Sequence, residues 1–269
     1  MLRYIVNRIF SGVFILSAVL LFAFMTFSIG SLRYISDISG YEAYLLFMNS
    51  ESGIIFYIFC IILAMQYPIV DKNDNLIVRL GWKKWMIYEI VSLISVIILY
   101  SIMTLAFSFL LVPDFSHKWN TDFLIAMSPI ENKFTEHIAS VQNMTGWVLY
   151  GTISGALMTT FICNTILAVF CGLVVFAFNT KRKAGYGVLI ILFIKYIPEI
   201  IMQYVFFHGN SLTGKILKYI DLFETAKISN MKMGCYGTYM QMHQTISWLL
   251  FCVSVLLIVI LGRKKICQR

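Results

Sequence analysis

Six long apolar runs, most of them free of charge, dictate what this chain can fold into. A helix rises about 1.5 Å per residue, so about 20 apolar residues cross the roughly 30 Å of hydrocarbon in a bilayer. The runs fall at about 9–29, 53–70, 85–112, 152–178, 186–207 and 245–261. The second ends near Pro68, and the fifth is the least pure because it contains Lys195, Pro198 and Glu199. With 59% apolar residues, 13% charged residues and a mean hydropathy of +0.81, the chain cannot hide its apolar surface from water by folding on itself. No polar stretch between the runs is long enough for a soluble domain, so residues 1–269 are expected to form a single all-α transmembrane domain. The first run follows Arg3 and Arg8 as a signal peptide would, but it is longer than a usual signal core and is read as a span.

Basic residues stay preferentially on the cytoplasmic side of short loops. With six spans, one side holds Arg3 and Arg8, then Lys72, Arg79, Lys83 and Lys84, then Lys181, Arg182 and Lys183, and finally Arg263, Lys264, Lys265 and Arg269, which is 13 of the 21 cations. The other side carries fewer cations over far more residues, and most of the carboxylates, among them Glu42, Glu51, Asp221 and Glu224. The expectation is a multi-pass protein of the cell membrane with both termini cytoplasmic. The net charge of +8 then reports topology and contact with anionic lipid, and no basic face is gathered for nucleic acid.

The first cytoplasmic loop is informative. Asn73, Asp74 or Asn75 can cap a helix, after which Leu76, Ile77 and Leu80 share one face. This predicts a short amphipathic helix on the membrane surface, with Arg79 exposed and Trp82 and Trp85 at headgroup depth. Gly81 would let the chain turn from that helix into the third span.

This arrangement, in which a short inner helix and Arg79-x-Gly81-x-x-x-Trp85 lead into the third span, resembles the coupling-helix region of ABC-2 type permeases, the membrane subunits of one class of ABC transporter. The six spans, the very short second inner loop at 179–185 and the longer segment before the last span are similar to that type V exporter-like layout. The resemblance implies that the loop docks on a cytoplasmic ATPase, with Asp74, Leu76, Arg79, Leu80, Trp82 and Trp85 as the coupling set. It also implies a second permease subunit, identical or related, and ATP with Mg on the partner ATPase. The expected cargo is a hydrophobic or amphipathic peptide, drug or lipid. The alternatives are a self-sufficient secondary transporter or channel, and a non-transporting immunity or sensor protein.

The chain has no GxxxxGK[ST] loop of its own; Ser211-Leu212-Thr213-Gly214-Lys215 is only an echo of it. No hydrolytic triad and no HExxH or CxxC spacing is present, so neither enzymatic activity nor a metal site is expected. Cys60, Cys163, Cys171 and Cys252 fall inside spans, as small apolar residues would. His117, His137, His208 and His243 lie in outer segments without ligand spacing.

Two features inside the spans stand out. Lys195 and Glu199 are four residues apart around Pro198, in register to pair on one helix face, and together they are either a gate on a translocation path or a self-neutralised packing pair. Gly151 and Gly155 open the fourth span with a GxxxG spacing that predicts a helix-packing face. Beyond the spans, Leu212, Ile216, Leu217, Ile220 and Phe223 within Leu212 to Ile228 predict an amphipathic helix on or in the outer leaflet.

Overall fold

A computed structural model describes residues 11–33, 38–67, 81–116, 119, 151–180, 184–205, 219–228, 230–231 and 240–262. Within them lie α1 (Gly12–Arg33), α2 (Gly40–Asn49), α3 (Ile54–Ala64), α4 (Trp82–Leu111), α5 (Ile153–Asn179), α6 (Ala184–Val205), α7 (Leu222–Ala226) and α8 (Met242–Gly262). A single 3-10 turn at Glu51–Gly53 joins α2 to α3, and there is no strand among the described residues. Four helices, α1, α4, α5 and α8, are long and apolar enough to cross a membrane, and a fifth span results if α2 and α3 are taken as one broken span bent by 80°. The chain is an all-helical, multi-pass membrane protein.

The two ends of the bundle are conveniently named after α5, which runs from a Thr152 end to an Asn179 end. α5 is the central helix and packs against α2, α3, α4, α6, α7 and α8. Of its apolar window 67% is buried, against 22% for the peripheral α8. Its buried stripe includes Ala156, Thr160, Cys163, Ala168, Cys171 and Gly172. Lipid tails are as apolar as the helices, so association depends on close packing, and small residues permit it. A Cβ on Gly172 would lie 2.6 Å from Ile97 Cδ1 of α4, and one on Gly187 of α6 would lie 2.8 Å from the Val175 Cα. Large side chains on the outward faces, such as Leu16, Phe27, Phe193, Phe251 and Ile258, remain exposed and meet lipid.

The second predicted run, 53–70, behaves differently from a simple span. α3 has 11 residues and is therefore only about 16 Å long, half a bilayer. What precedes it, read from sequence as an outer segment, is the buried helix α2. Ser39 and Glu42 form a reciprocal capping box: the Glu42 amide donates to Ser39 Oγ at 3.3 Å, and the Ser39 amide donates to Glu42 Oε2 at 2.8 Å. Tyr44, Leu45, Phe47 and Met48 then bury themselves in the bundle. At the bend, a Cβ on Gly53 would stand 2.7 Å from the Met48 carbonyl oxygen, so the two backbones meet there without a side chain between them.

At the Asn179 end, Asn179 Nδ2 donates to the carbonyls of Met65 and Tyr67 at 2.9 and 2.8 Å, closing the end of α3 onto α5. Gly81 precedes α4 with φ of 77°, a left-handed value suited to glycine; the short helix expected ahead of it lies outside the described residues.

Candidate functional site

The polar centre of the bundle forms where the bend of α2–α3 and the short helix α7 meet α5 and α6. Asn164 is 11 residues into α5, about 16 Å from its start, and Lys195 is 10 residues before the end of α6, about 15 Å. Both positions thus lie about midway along their helices, and both side chains are buried. A buried ammonium in a bundle needs a counter-charge, because a bare charge is costly there.

Glu224 of α7 supplies one. Its Oε1 lies 3.5 Å from Lys195 Nζ and accepts from Lys227 Nζ at 2.8 Å, while its Oε2 accepts from Asn230 Nδ2 at 2.8 Å. Lys227 continues the chain of charges to Glu51, 3.6 Å away at the α2–α3 bend. Lys195 Nζ also stands 5.7 Å from the centre of the Tyr196 ring, within cation–π reach. Burial pushes the Glu224 carboxyl up, but the ammoniums of Lys227 and Lys195 and the Asn230 amide outweigh it, and the group is held below the ordinary carboxylate range.

Beside this chain of charges, Tyr57 of α3 donates to Asn164 Oδ1, and Asn164 Nδ2 donates to the Thr160 carbonyl at 2.7 Å. The rings of Tyr57 and Phe223 meet edge to face at 5.1 Å, and the Ile228 amide donates to Asn49 Oδ1 at 2.9 Å. Glu51, Tyr57, Asn164, Lys195, Phe223 and Lys227 line a cavity of about 20 Å³. That is room for a water molecule and not for a cargo.

Of the residues singled out from sequence, Lys195 and Pro198 are in α6, with Pro198 inside the helix. The side chain of Glu199 lies outside the described residues; Lys195 has an ion-pair partner in Glu224, from a different element. Trp82 and Trp85 open α4 with their rings 5.2 Å apart, and Trp85 is buried, so it packs the helix start inward. Asp74, Leu76, Arg79 and Leu80 lie outside the described residues. Gly151 sits just ahead of α5: Thr152 is the N-cap, accepting from the Gly155 amide at 3.1 Å, and the Gly151 carbonyl accepts from Trp119 Nε1 at 3.3 Å. The buried positions of that first turn are Ile153, Ala156 and Leu157, so the close-packed stripe begins at Ala156.

Sequence reasoning overlooked Tyr57, Asn164 and Glu89. Glu89 is a fully buried carboxylate one turn beyond Trp85 in α4, hidden from notice within an apolar run. Asn164, the lone amide within a long apolar segment, was the available signal. Among the described residues no three His, Cys, Asp or Glu converge to hold a metal. The chain matches no family model, no curated protein and no solved structure.

Proposed function

We propose that this chain is the membrane permease subunit of an ATP-driven exporter of the ABC-2 type. The observation that carries the proposal is the Arg79-x-Gly81-x-x-x-Trp85 pattern leading into α4, and it is supported by a charge-balanced set, Lys195, Glu224, Lys227 and Glu51, that reaches Lys195 about halfway along α6. Ionisable groups at this depth mark translocation paths and gates more readily than they mark packing. Six spans follow if the bent pair α2–α3 counts as one and α6, about 33 Å long, as another. The excess of Lys and Arg assigns the Asn179 end and both termini to the cytoplasm. The gate comprises Lys195, Pro198 and Glu199, and the stretch 74–85 receives work from a cytoplasmic ATPase that binds ATP and Mg. Two permease subunits and two ATPases form the working unit. The cargo is a hydrophobic or amphipathic peptide, drug or lipid.

A self-sufficient secondary transporter or channel is the second reading, favoured by the titratable chain from Lys195 to Glu51; it predicts transport with no ATPase present. A non-transporting immunity or sensor role predicts no flux under either condition. Co-purification with an ABC-type ATPase, together with flux measured with and without that ATPase, decides among them. Arg79→Glu with Leu80→Ala is expected to leave the protein folded while the ATPase is lost or its hydrolysis is uncoupled from transport. Unchanged coupling, or a cysteine placed at Arg79 that reacts only from outside the cell, would overturn the proposal.

A further inference from the structure

The polar contacts that meet around Glu224 fall into two classes by length. Those within its own segment are short: Lys227 at 2.8 Å, Asn230 to the carboxylate at 2.8 Å and to the Glu224 carbonyl at 3.0 Å, and the Glu224 amide to the Asp221 carboxylate at 3.1 Å. The ionic ties from the segment to the rest of the bundle are longer, 3.5 Å from Lys195 to Glu224 and 3.6 Å from Lys227 to Glu51. A segment that neutralises the Glu224 carboxylate internally can move as a unit without stranding that group in an apolar surround. On parting, Glu224 would keep Lys227 and Asn230. Lys195 would meet water entering the widened cavity, and the Glu51 side chain is already 84% exposed. Lys195 also stands three residues before Pro198, whose missing amide leaves α6 one backbone bond short and easier to bend there.

We propose that the chain Lys195–Glu224–Lys227–Glu51 is a breakable latch, and that α7 with its flanking residues is a rigid plug which the latch holds over the cavity at Tyr57 and Asn164. Phe223 is the face of the plug, set against the Tyr57 ring. The Asn49–Ile228 hydrogen bond adds a tie between plug and bend. The latch rests on the permease assignment only for what the opening admits. Its closing and release belong to this chain alone and need neither ATP nor cargo.

The test uses the full-length protein in membrane vesicles, with its native cysteines replaced and Met48→Cys as reporter. Met48 lines the cavity and is 3% exposed. The reagent is a membrane-impermeant maleimide applied from the side facing the Thr152 end. Labelling is expected to be slow with the latch intact and about tenfold faster in Lys195→Met, the loss of one ionic tie in an opening equilibrium. Equal labelling rates overturn the proposal and leave the ion pairs as static packing. Should Lys195→Met fail to fold, Glu51→Gln carries the test, because it removes an exposed group and leaves the core untouched. It is expected to accelerate labelling about threefold, and no acceleration overturns the latch equally. Reaction only from the Asn179 side also overturns it. Failure of the parent chain to co-purify with any ATPase, while Lys195→Met still labels faster, would count against the permease assignment and leave the latch standing.

Discussion

The Tyr57 hydroxyl donates to Asn164 Oδ1, and through this contact the half-length α3 is fastened to the middle of the central helix α5. Both side chains are buried, so removing either partner leaves the other without its bond in a site that water barely reaches. Asn164→Leu is therefore expected to cost about 1–3 kcal/mol of stability, and Tyr57→Phe somewhat less because the ring contacts with Phe56 and Phe223 survive. The double variant should be less destabilised than the sum of the two, since the polar mismatch is then gone. Thermal unfolding of the detergent-solubilised protein measures all three; additive losses would show that the bond contributes nothing of its own.

Gly53 sets the bend. A Cβ there would sit 2.7 Å from the Met48 carbonyl oxygen and 3.0 Å from that of Phe47, both backbone atoms that cannot swing aside. Gly53→Ala should destabilise the protein by about 1–3 kcal/mol. Gly12→Ala and Gly262→Ala meet nothing within 4 Å and serve as neutral controls. A melting temperature unchanged from the parent in Gly53→Ala would mean that the bend opens freely.

The helical, membrane-crossing character of the chain was legible because an apolar run of about 20 residues has few alternative fates. The charge cluster was not, because sequence spacing shows only partners on the same helix. Lys195 and Glu199 were visible as an i,i+4 pair, whereas Glu224 reaches Lys195 from a segment whose fold depends on the whole bundle. The helix α2 was missed for a different reason: at 10 residues it is too short for a span search, and its announcement lies in the capping box of Ser39 and Glu42. Likewise, Gly151 and Gly155 have the spacing of a packing face, but a Thr152 cap starts the helix between them. Gly81, by contrast, takes a left-handed φ of 77° directly ahead of α4, a conformation that glycine adopts without a Cβ clash.

Glu224 gives the junction a definite pH response. Its carboxyl is held below the ordinary range in the folded protein, so its contribution is complete above the pKa of an unfolded glutamate, about 4.3. It is lost as pH falls through the lower folded value. Stability attributable to the cluster should thus be flat from neutral pH to about pH 5 and decline only in more acidic solution. In Glu224→Gln that acid-dependent part should vanish, and the variant should be less stable than the parent at neutral pH. Melting curves taken across pH check both points; a Glu224-dependent decline beginning near neutrality would contradict the sign.

Gly187 couples the packing of α6 to the charge cluster. A Cβ at this position would lie 2.8 Å from the Val175 Cα and 3.3 Å from the Val174 carbonyl oxygen, so Gly187→Ala forces the backbones of α5 and α6 apart. Lys195 is eight residues further along the same helix, about two turns, and the displacement should carry its ammonium away from Glu224. Gly187→Ala is expected to lose about 1–3 kcal/mol of stability and to speed external labelling of Met48→Cys. Gly185→Ala, where nothing lies within 4 Å, should alter neither. Loss of stability in Gly187→Ala with labelling unchanged would show that the helix crossing and the ion pair are mechanically independent.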